Sequence, residues 1–482
     1  MNKKLFLSIA LFFCSAFLFS EDAAKTKIDG LFWKTLDNGL QVFVMENNSA
    51  PLAYVEIAVR AGATTQTAET AGLFHLYEHL MFKGNSKYKT QREFTDAMNK
   101  LGVGDWNGTT GEDRVNYFFT VPSEVVRDGM EFWSYAIRSP KIDKDELERE
   151  KGVVLSEING KFTHPSYISY FSMMKPLFES EPWRIDTSGS PEVVKNATVE
   201  QMKEIQSEYY VPENTALFIG GDVKHEEIFK YAKEIFGSWK RSKNPKKFKE
   251  PSPKNPQDKI VKLVFADKSA SDNFVSAKYM LRGPDGECDI ADTYAADVWG
   301  NLANEPDGVF ASTFTGNKTL SIPDSDYVGA SYFTKRASGR VSFVAYMLND
   351  GNPMKKADEF LKVINGELTE KMCRSLEFYS GIDNAKKKLM DSRIYSMETA
   401  EGILSNLSSF FASCGADYFF DYNENIAKVT ETDIASFVRK YIEGKSGVLL
   451  VSVSPDVFEK YKEDFLSDGF IEVSGENAFW WR

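Results

Sequence analysis

Two distant stretches of this chain carry apolar residues at the same offsets. Thr198 is followed by Met202, Ile205, Tyr209 and Leu217, and Thr430 by Ile434, Phe437, Tyr441 and Leu449. Each stretch reads as a helix opened by a threonine cap ("TVEQMKEIQSEYY", "TETDIASFVRKYI") and then an apolar strand ("TALFIGG", "GVLLVSV"). A second amphipathic helix follows in both places, "HEEIFKYAKEIF" and "DVFEKYKEDFL". Offsets kept through successive elements make duplication the better account than coincidence. Between the copies, "KRSKNPKKFKEPSPKNPQDK" is basic, rich in proline and almost without apolar residues, as a linker is.

The chain is therefore expected to divide into a domain at 28–239, a linker at 240–259 and a related domain at 260–475. In the first half "GLQVFVMEN" and "LAYVEIAVRAG" alternate around a turn at "NNSAP", and "VNYFFTVPSE" is a further strand after two helical stretches. The fold class follows: α+β, two related domains, each a mostly antiparallel sheet packed with helices, arising by duplication.

With 42% hydrophobic and 27% charged residues, the chain can build cores of its own. Its net charge of −12 argues against nucleic acid as a partner, because neutralising phosphates needs clustered Lys and Arg. At the N-terminus Lys3 and Lys4 precede "LFLSIALFFCSAFLF", apolar apart from Ser8 and Ser15. That run is shorter than the ~20 residues of a membrane span, so residues 1–20 read as a signal peptide. The expected location is periplasmic or secreted, the alternatives being an anchor through an uncleaved signal or a lipidated Cys14. Cys288, Cys373 and Cys414 form neither a disulfide framework nor a CxxC site and are expected as three buried thiols.

Only four histidines occur, and two stand in "HLYEH". On a helix His75, Glu78 and His79 share a face. Two nitrogens and a neighbouring carboxylate suit a metal with a general base beside it, but a catalytic zinc normally keeps three protein ligands. "DKDELEREKGVVLSEI" offers the third. Leu147, Glu150, Val154, Glu157 and Ile158 follow a helical stripe, so two carboxylates interrupt an apolar face. A nearby cation would resolve the cost of burying them. The plainer alternative is a solvated acidic face. His164 reads as a loop residue and His225 as a structural one.

With these segments in view the chain resembles the zinc peptidases of the pitrilysin, insulin-degrading enzyme and mitochondrial processing peptidase group, whose HxxEH inverts the order HExxH. "LDNGLQVFVMEN", "AGLFHLYEHLMFKGNSKY", "EREKGVVLSEI" and "YYVPENTALFIGGDV" are similar to family segments in family order. The resemblance implies that His75, His79 and Glu157 bind one zinc ion per chain and that Glu78 activates the water that attacks the peptide carbonyl. It implies that Glu150 supports the site from behind. "WNGTTGEDRVNYFF" resembles the family's substrate-pairing strand, which makes Asn107, Gly108 and Thr109 the substrate-binding residues. Gly108 stands where the family usually has alanine, an exchange that changes little for a main-chain contact. The counterpart helix of the second half, "DTYAADVWGNLANE", has no ligand set, as in the family's catalytically empty domain. The family's second-half Arg and Tyr have no clear match; Tyr327 is the nearest tyrosine.

The reading from sequence is an exported zinc metalloendopeptidase acting on extended peptides or unfolded segments, paired with a related chain as a homodimer or heterodimer. The alternative is a noncatalytic partner or peptide-binding subunit. A structural zinc site is disfavoured, because such sites are usually closed by four ligands and no cysteine lies near the motif.

Overall fold

The computed structural model describes residues 24–243 and 259–482. The expected signal peptide and most of the expected linker lie outside the described residues.

The strands of the first half are β1 (Ala24–Lys25), β2 (Leu31–Thr35), β3 (Gln41–Glu46), β4 (Leu52–Val59), β5 (Asp105–Thr110), β6 (Val115–Pro122) and β7 (Thr215–Gly221), ordered β1-β2-β3-β7-β4-β6-β5. Those of the second are β8 (Val261–Ala266), β9 (Phe274–Arg282), β10 (Val328–Phe333), β11 (Arg340–Leu348), β12 (Val448–Val453) and β13 (Ile471–Val473), ordered β10-β11-β9-β12-β8-β13. In the first sheet only β3 and β7 run parallel. In the second, β8 runs parallel to β12 and to β13, and the rest is antiparallel. The run β3-β7-β4-β6-β5 thus matches β8-β12-β9-β11-β10 in order and in sense at every joint. The fold is α+β with two related, mostly antiparallel domains, and the duplication extends to topology.

Thr198 and Thr430 both close capping boxes, the first with Gln201 and the second with Asp433, so the repeated offsets begin from the same local chemistry. β3 and β4, on either side of the Asn47–Pro51 turn, do not pair with each other, because β7 lies between them.

Each sheet buries one face against helices of its own half. The opposite faces are covered by exchange. Helix Ala400–Ser413, from the second half, lays Ile403, Leu404, Leu407 and Phe411 on Phe43, Met45, Tyr54 and Phe218 of the first sheet. Helix Pro165–Leu177, from the first half, lays Ile168, Met173, Met174 and Leu177 on Leu263, Phe265, Met280 and Leu450 of the second. Gly220 in β7 permits the first contact, since a Cβ there would stand 2.6 Å from the Leu404 side chain. Within this contact Glu56 is fully buried and accepts from Tyr54 (2.9 Å), Asn116 (2.8 Å), Ser408 (2.5 Å) and Arg114 (3.3 Å). Four donors make the burial of that polar group tolerable.

Cys373 is buried, Cys414 half-buried and Cys288 exposed, so the expectation of three buried thiols fails at Cys288. That residue lies in the connection before helix Ile290–Ala303, and connections run over the surface. Among the described residues no helix is long and apolar enough to cross a membrane.

Candidate metal centre

The motif helix, Leu73–Met81, starts from Gly72 at φ 96°, a conformation that favours glycine. A Cβ on Gly72 would also stand 2.5 Å from the carbonyl oxygen of Ser188. Gln66 closes this end: its Oε1 accepts the Gly72 N–H at 2.7 Å, and its amide donates to the carbonyls of Trp183 and Asp186 at 2.9 and 3.1 Å. Leu73, Phe74, Leu76, Tyr77, Leu80 and Met81 are buried, and this leaves His75, Glu78 and His79 on the remaining face. Across from it runs helix Lys144–Lys161, capped by Asp143, which accepts the Glu146 N–H at 3.0 Å.

These two helices bring the sequence candidates together. Glu157 Oε2 lies 3.6 Å from His75 Nε2, and Glu157 Oε1 lies 3.7 Å from His79 Nε2. One donor atom from each residue falls within 4.8 Å of the others. Such separations are too long for hydrogen bonds. Donors about 2.0–2.1 Å from a tetrahedral zinc ion stand roughly 3.3–3.5 Å from one another, so two imidazole nitrogens and a carboxylate gathered in this way are a donor set of the kind that ion takes.

Behind the set, Glu150 Oε2 accepts from His79 Nδ1 at 3.2 Å, while Lys83 Nζ donates to Glu150 Oε1 at 2.9 Å. A proton held on Nδ1 leaves the Nε2 lone pair of His79 facing Glu157. Burial pushes His75 down to about 3, aided by His79 and Lys161, so its ring is neutral and able to ligate. Burial alone would depress His79 as well, but the hydrogen bond to Glu150 and the charges of Glu157, Glu78 and Glu150 outweigh it and raise the ring. Glu150 is held below the usual carboxylate range: burial acts upward, and His79 and Lys83 overcome it.

Glu78 is buried beside these three residues, and its Oε2 accepts the hydroxyl of Thr110 at 2.8 Å. Burial pushes its carboxyl above the ordinary range; Thr110 and His79 oppose that shift and Glu157 adds to it. The geometry presents three donor groups and, next to them, a carboxylate adapted to hold or release a proton.

Asn107, Gly108 and Thr109 lie together on the edge strand β5, but they alternate between faces. Gly108 faces the motif helix, and a Cβ there would stand 2.8 Å from the Phe82 ring and 3.2 Å from Glu78 Oε1. The glycine-for-alanine exchange is therefore not neutral in this chain, because Phe82 fills the space a methyl would need. Asn107 Oδ1 accepts the Gly108 N–H at 2.9 Å, and the Thr109 hydroxyl donates to Asn116. Tyr327 packs against the core of the second half and stacks on Phe274 at 5.4 Å.

A second group, Glu46, His225 and Glu226, also gathers within 4.8 Å. There Glu46 caps helix His225–Phe236, accepting both the N–H and Nδ1–H of His225 at 2.9 and 2.8 Å, and the ring stacks on Phe32. His164 stands at the N-cap of helix Pro165–Leu177. Three residues that matter at the site were missed in the sequence: Thr110, Lys83 and Gln66. Lys83 had a signal, standing four after His79 just past the end of the motif helix. Gln66 had none. Thr110 had only its alternation with Gly108 along β5.

An α+β pair of domains with an inverted histidine motif in the first and none in the second defines a class of two-domain metallopeptidase. Residues 42–173 match the insulinase family, peptidase family M16, and residues 196–300 match the peptidase M16 inactive domain. In two successive stretches the chain thus matches peptidase family M16. It is 22% identical over 412 residues to the zinc protease PqqE of Helicobacter pylori, an alignment covering 85% of this chain and 89% of that protein. To the probable mitochondrial-processing peptidase subunit beta of Arabidopsis thaliana it is 26% identical over 202 residues, covering 42% of this chain and only 38% of that relative. The crystal structure of the first half of the periplasmic protease PqqL from Escherichia coli shares the fold, with a TM-score of 0.69 at 16% identity over 91% of this chain and 95% of that one.

Proposed function

We propose that this chain is an exported zinc metalloendopeptidase that hydrolyses extended peptides or unfolded segments. The observation that carries the reading is the convergence of His75, His79 and Glu157 around one point, with the buried carboxylate of Glu78 adjoining it.

In this reading residues 28–239 form the catalytic domain and 260–475 the related domain without the motif. His75, His79 and Glu157 would hold the zinc ion, which when bound supplies a Lewis acid. Glu150, held by Lys83, fixes the ring and tautomer of His79. Glu78 takes a proton from the attacking water and returns it to the leaving amine; a carboxyl raised by burial suits both transfers. The substrate adds as a strand along the edge of β5, near Asn107, Gly108 and Thr109, through main-chain hydrogen bonds. Export is supported by the N-terminal apolar run and by the periplasmic PqqL neighbour. Pairing with a related chain is supported by the relative named as a processing-peptidase subunit. The lack of a clear match to the family's second-half Arg and Tyr supports one other reading, a peptide-binding subunit without turnover.

The test is hydrolysis of a pool of unstructured peptides by the zinc-loaded full chain, beside Glu78→Gln and Glu157→Gln. Glu78→Gln is expected to keep its zinc and lose about 10²–10⁴-fold in turnover. Glu157→Gln is expected to lose zinc, read by atomic absorption. Undiminished turnover in Glu78→Gln would remove its role, and a folded, zinc-loaded wild type that cuts nothing would leave the subunit reading. Light scattering on the active preparation then shows whether one chain or two do the work.

A further inference from the structure

The half without the histidine motif reaches the site through one hairpin turn. β5 carries Thr110, whose hydroxyl holds Glu78, and the chain then turns into β6 through Gly111, Glu112 and Asp113. The turn is inserted into the second half. Arg340 holds both oxygens of the Glu112 carboxylate, at 2.8 and 3.1 Å, and Ser338 donates its hydroxyl to the same group at 2.5 Å. Asp113 accepts the main-chain N–H of Arg336 at 3.1 Å. Arg114 continues outward to Ser408 and to the carbonyl of Ser405, at 2.7 and 3.1 Å. Three consecutive residues thus each have a partner in the other half.

A forked guanidinium on a carboxylate fixes direction as well as distance. Both side chains are nearly buried, 7% exposed for Arg340 and 10% for Glu112, so the pair is shielded from the screening that makes surface pairs weak. Within the first half Thr64 holds the same turn, its N–H donating to the Glu112 carbonyl at 2.8 Å. Glu112 is only two residues from Thr110, and a strand transmits a displacement of its turn along its length. With Oε2 of Glu78 tied to Thr110, Oε1 is the oxygen left for a proton transfer.

We propose that the second half positions the general base: Arg340, through Glu112, fixes the hairpin turn and so sets where Thr110 holds Glu78. Thr110, Glu112 and Arg340 are positioning residues, and the inference rests on the reading of Glu78 as base. The arginine of the empty half thus acts on the enzyme's own strand.

The zinc-loaded full chain, with a defined unstructured peptide as substrate, tests this. Thr110→Val keeps the shape and removes the hydroxyl; it should lower kcat about 10- to 100-fold, as small misplacements do, with KM within about twofold and zinc content unchanged. Thr110→Ser should restore most of kcat. Glu112→Gln should lower kcat in the same sense, and adding it to Thr110→Val should cost no more than Thr110→Val alone, because both act through one bond. Arg340→Lys serves the same purpose if Glu112→Gln fails to fold. A phosphinic peptide isostere reads the same geometry without turnover: Thr110→Val should weaken it while a plain peptide of the same length binds unchanged. Wild-type kcat in Thr110→Val beside an inactive Glu78→Gln would overturn this inference alone. An active Glu78→Gln would overturn the reading beneath it, and losses that multiply in the double variant would remove Arg340 and Glu112 from the proposal.

Discussion

Lys83 and Glu150 decide how His79 presents its free nitrogen. Lys83→Met would leave one oxygen of a nearly buried carboxylate without its cation, and Glu150 would hold Nδ1 less firmly. Zinc affinity is expected to fall about 10- to 100-fold, the range found when outer partners of a metal site are removed. Competition against a chromophoric chelator would show it; an unchanged affinity would mean that packing alone orients the ring. The motif was legible because His75, Glu78 and His79 needed only the spacing of one helix. The carboxylates were harder. Glu150 interrupts the buried stripe of Leu147, Val154 and Ile158, whereas the side chain of Glu157 is 42% exposed, with its carboxylate near the histidines. Thr110 and Lys83 acquire their roles from how β5 and helix Lys144–Lys161 approach the motif helix, and that approach is set by tertiary packing.

Among elements, helix Ile290–Ala303 of the second half carries an acid with no ligand near it. Burial pushes Asp297 up to about 7, against the hydrogen bond from Tyr422 at 2.8 Å. Between an ordinary aspartate value of about 4 and about 7 the folded chain keeps a proton that the unfolded chain has released. Stability contributed by this group therefore falls as pH rises through that window and is level above it. Asp297→Asn, which can still accept from Tyr422, is expected to raise the urea midpoint at pH 8 and to change it little at pH 4. Equal shifts at both values would count against the buried-acid account. The strands flanking each half's linker side were legible from alternation and repeated offsets, and the capping boxes came with them. Their order was not, since nothing local tells β7 to insert between β3 and β4.

For the whole molecule, the exchanged helices bind the two stabilities together. Leu407→Ala alters only the second half's sequence but removes apolar contact from the first sheet. A loss of about 2–5 kcal/mol is expected for such a truncation. Hydrogen exchange should show protection falling in β7 and β12 alike, and a loss confined to β12 would mean that the halves unfold separately. Neither helix announced its destination, because an amphipathic stripe specifies that a face is buried and not against which sheet. The arrangement also bears on the timing of synthesis. Chain leaves the ribosome at roughly 5–20 residues per second, so the first sheet waits on the order of ten seconds or longer for Ala400–Ser413. Through that interval one apolar face of the sheet has no cover from its own chain.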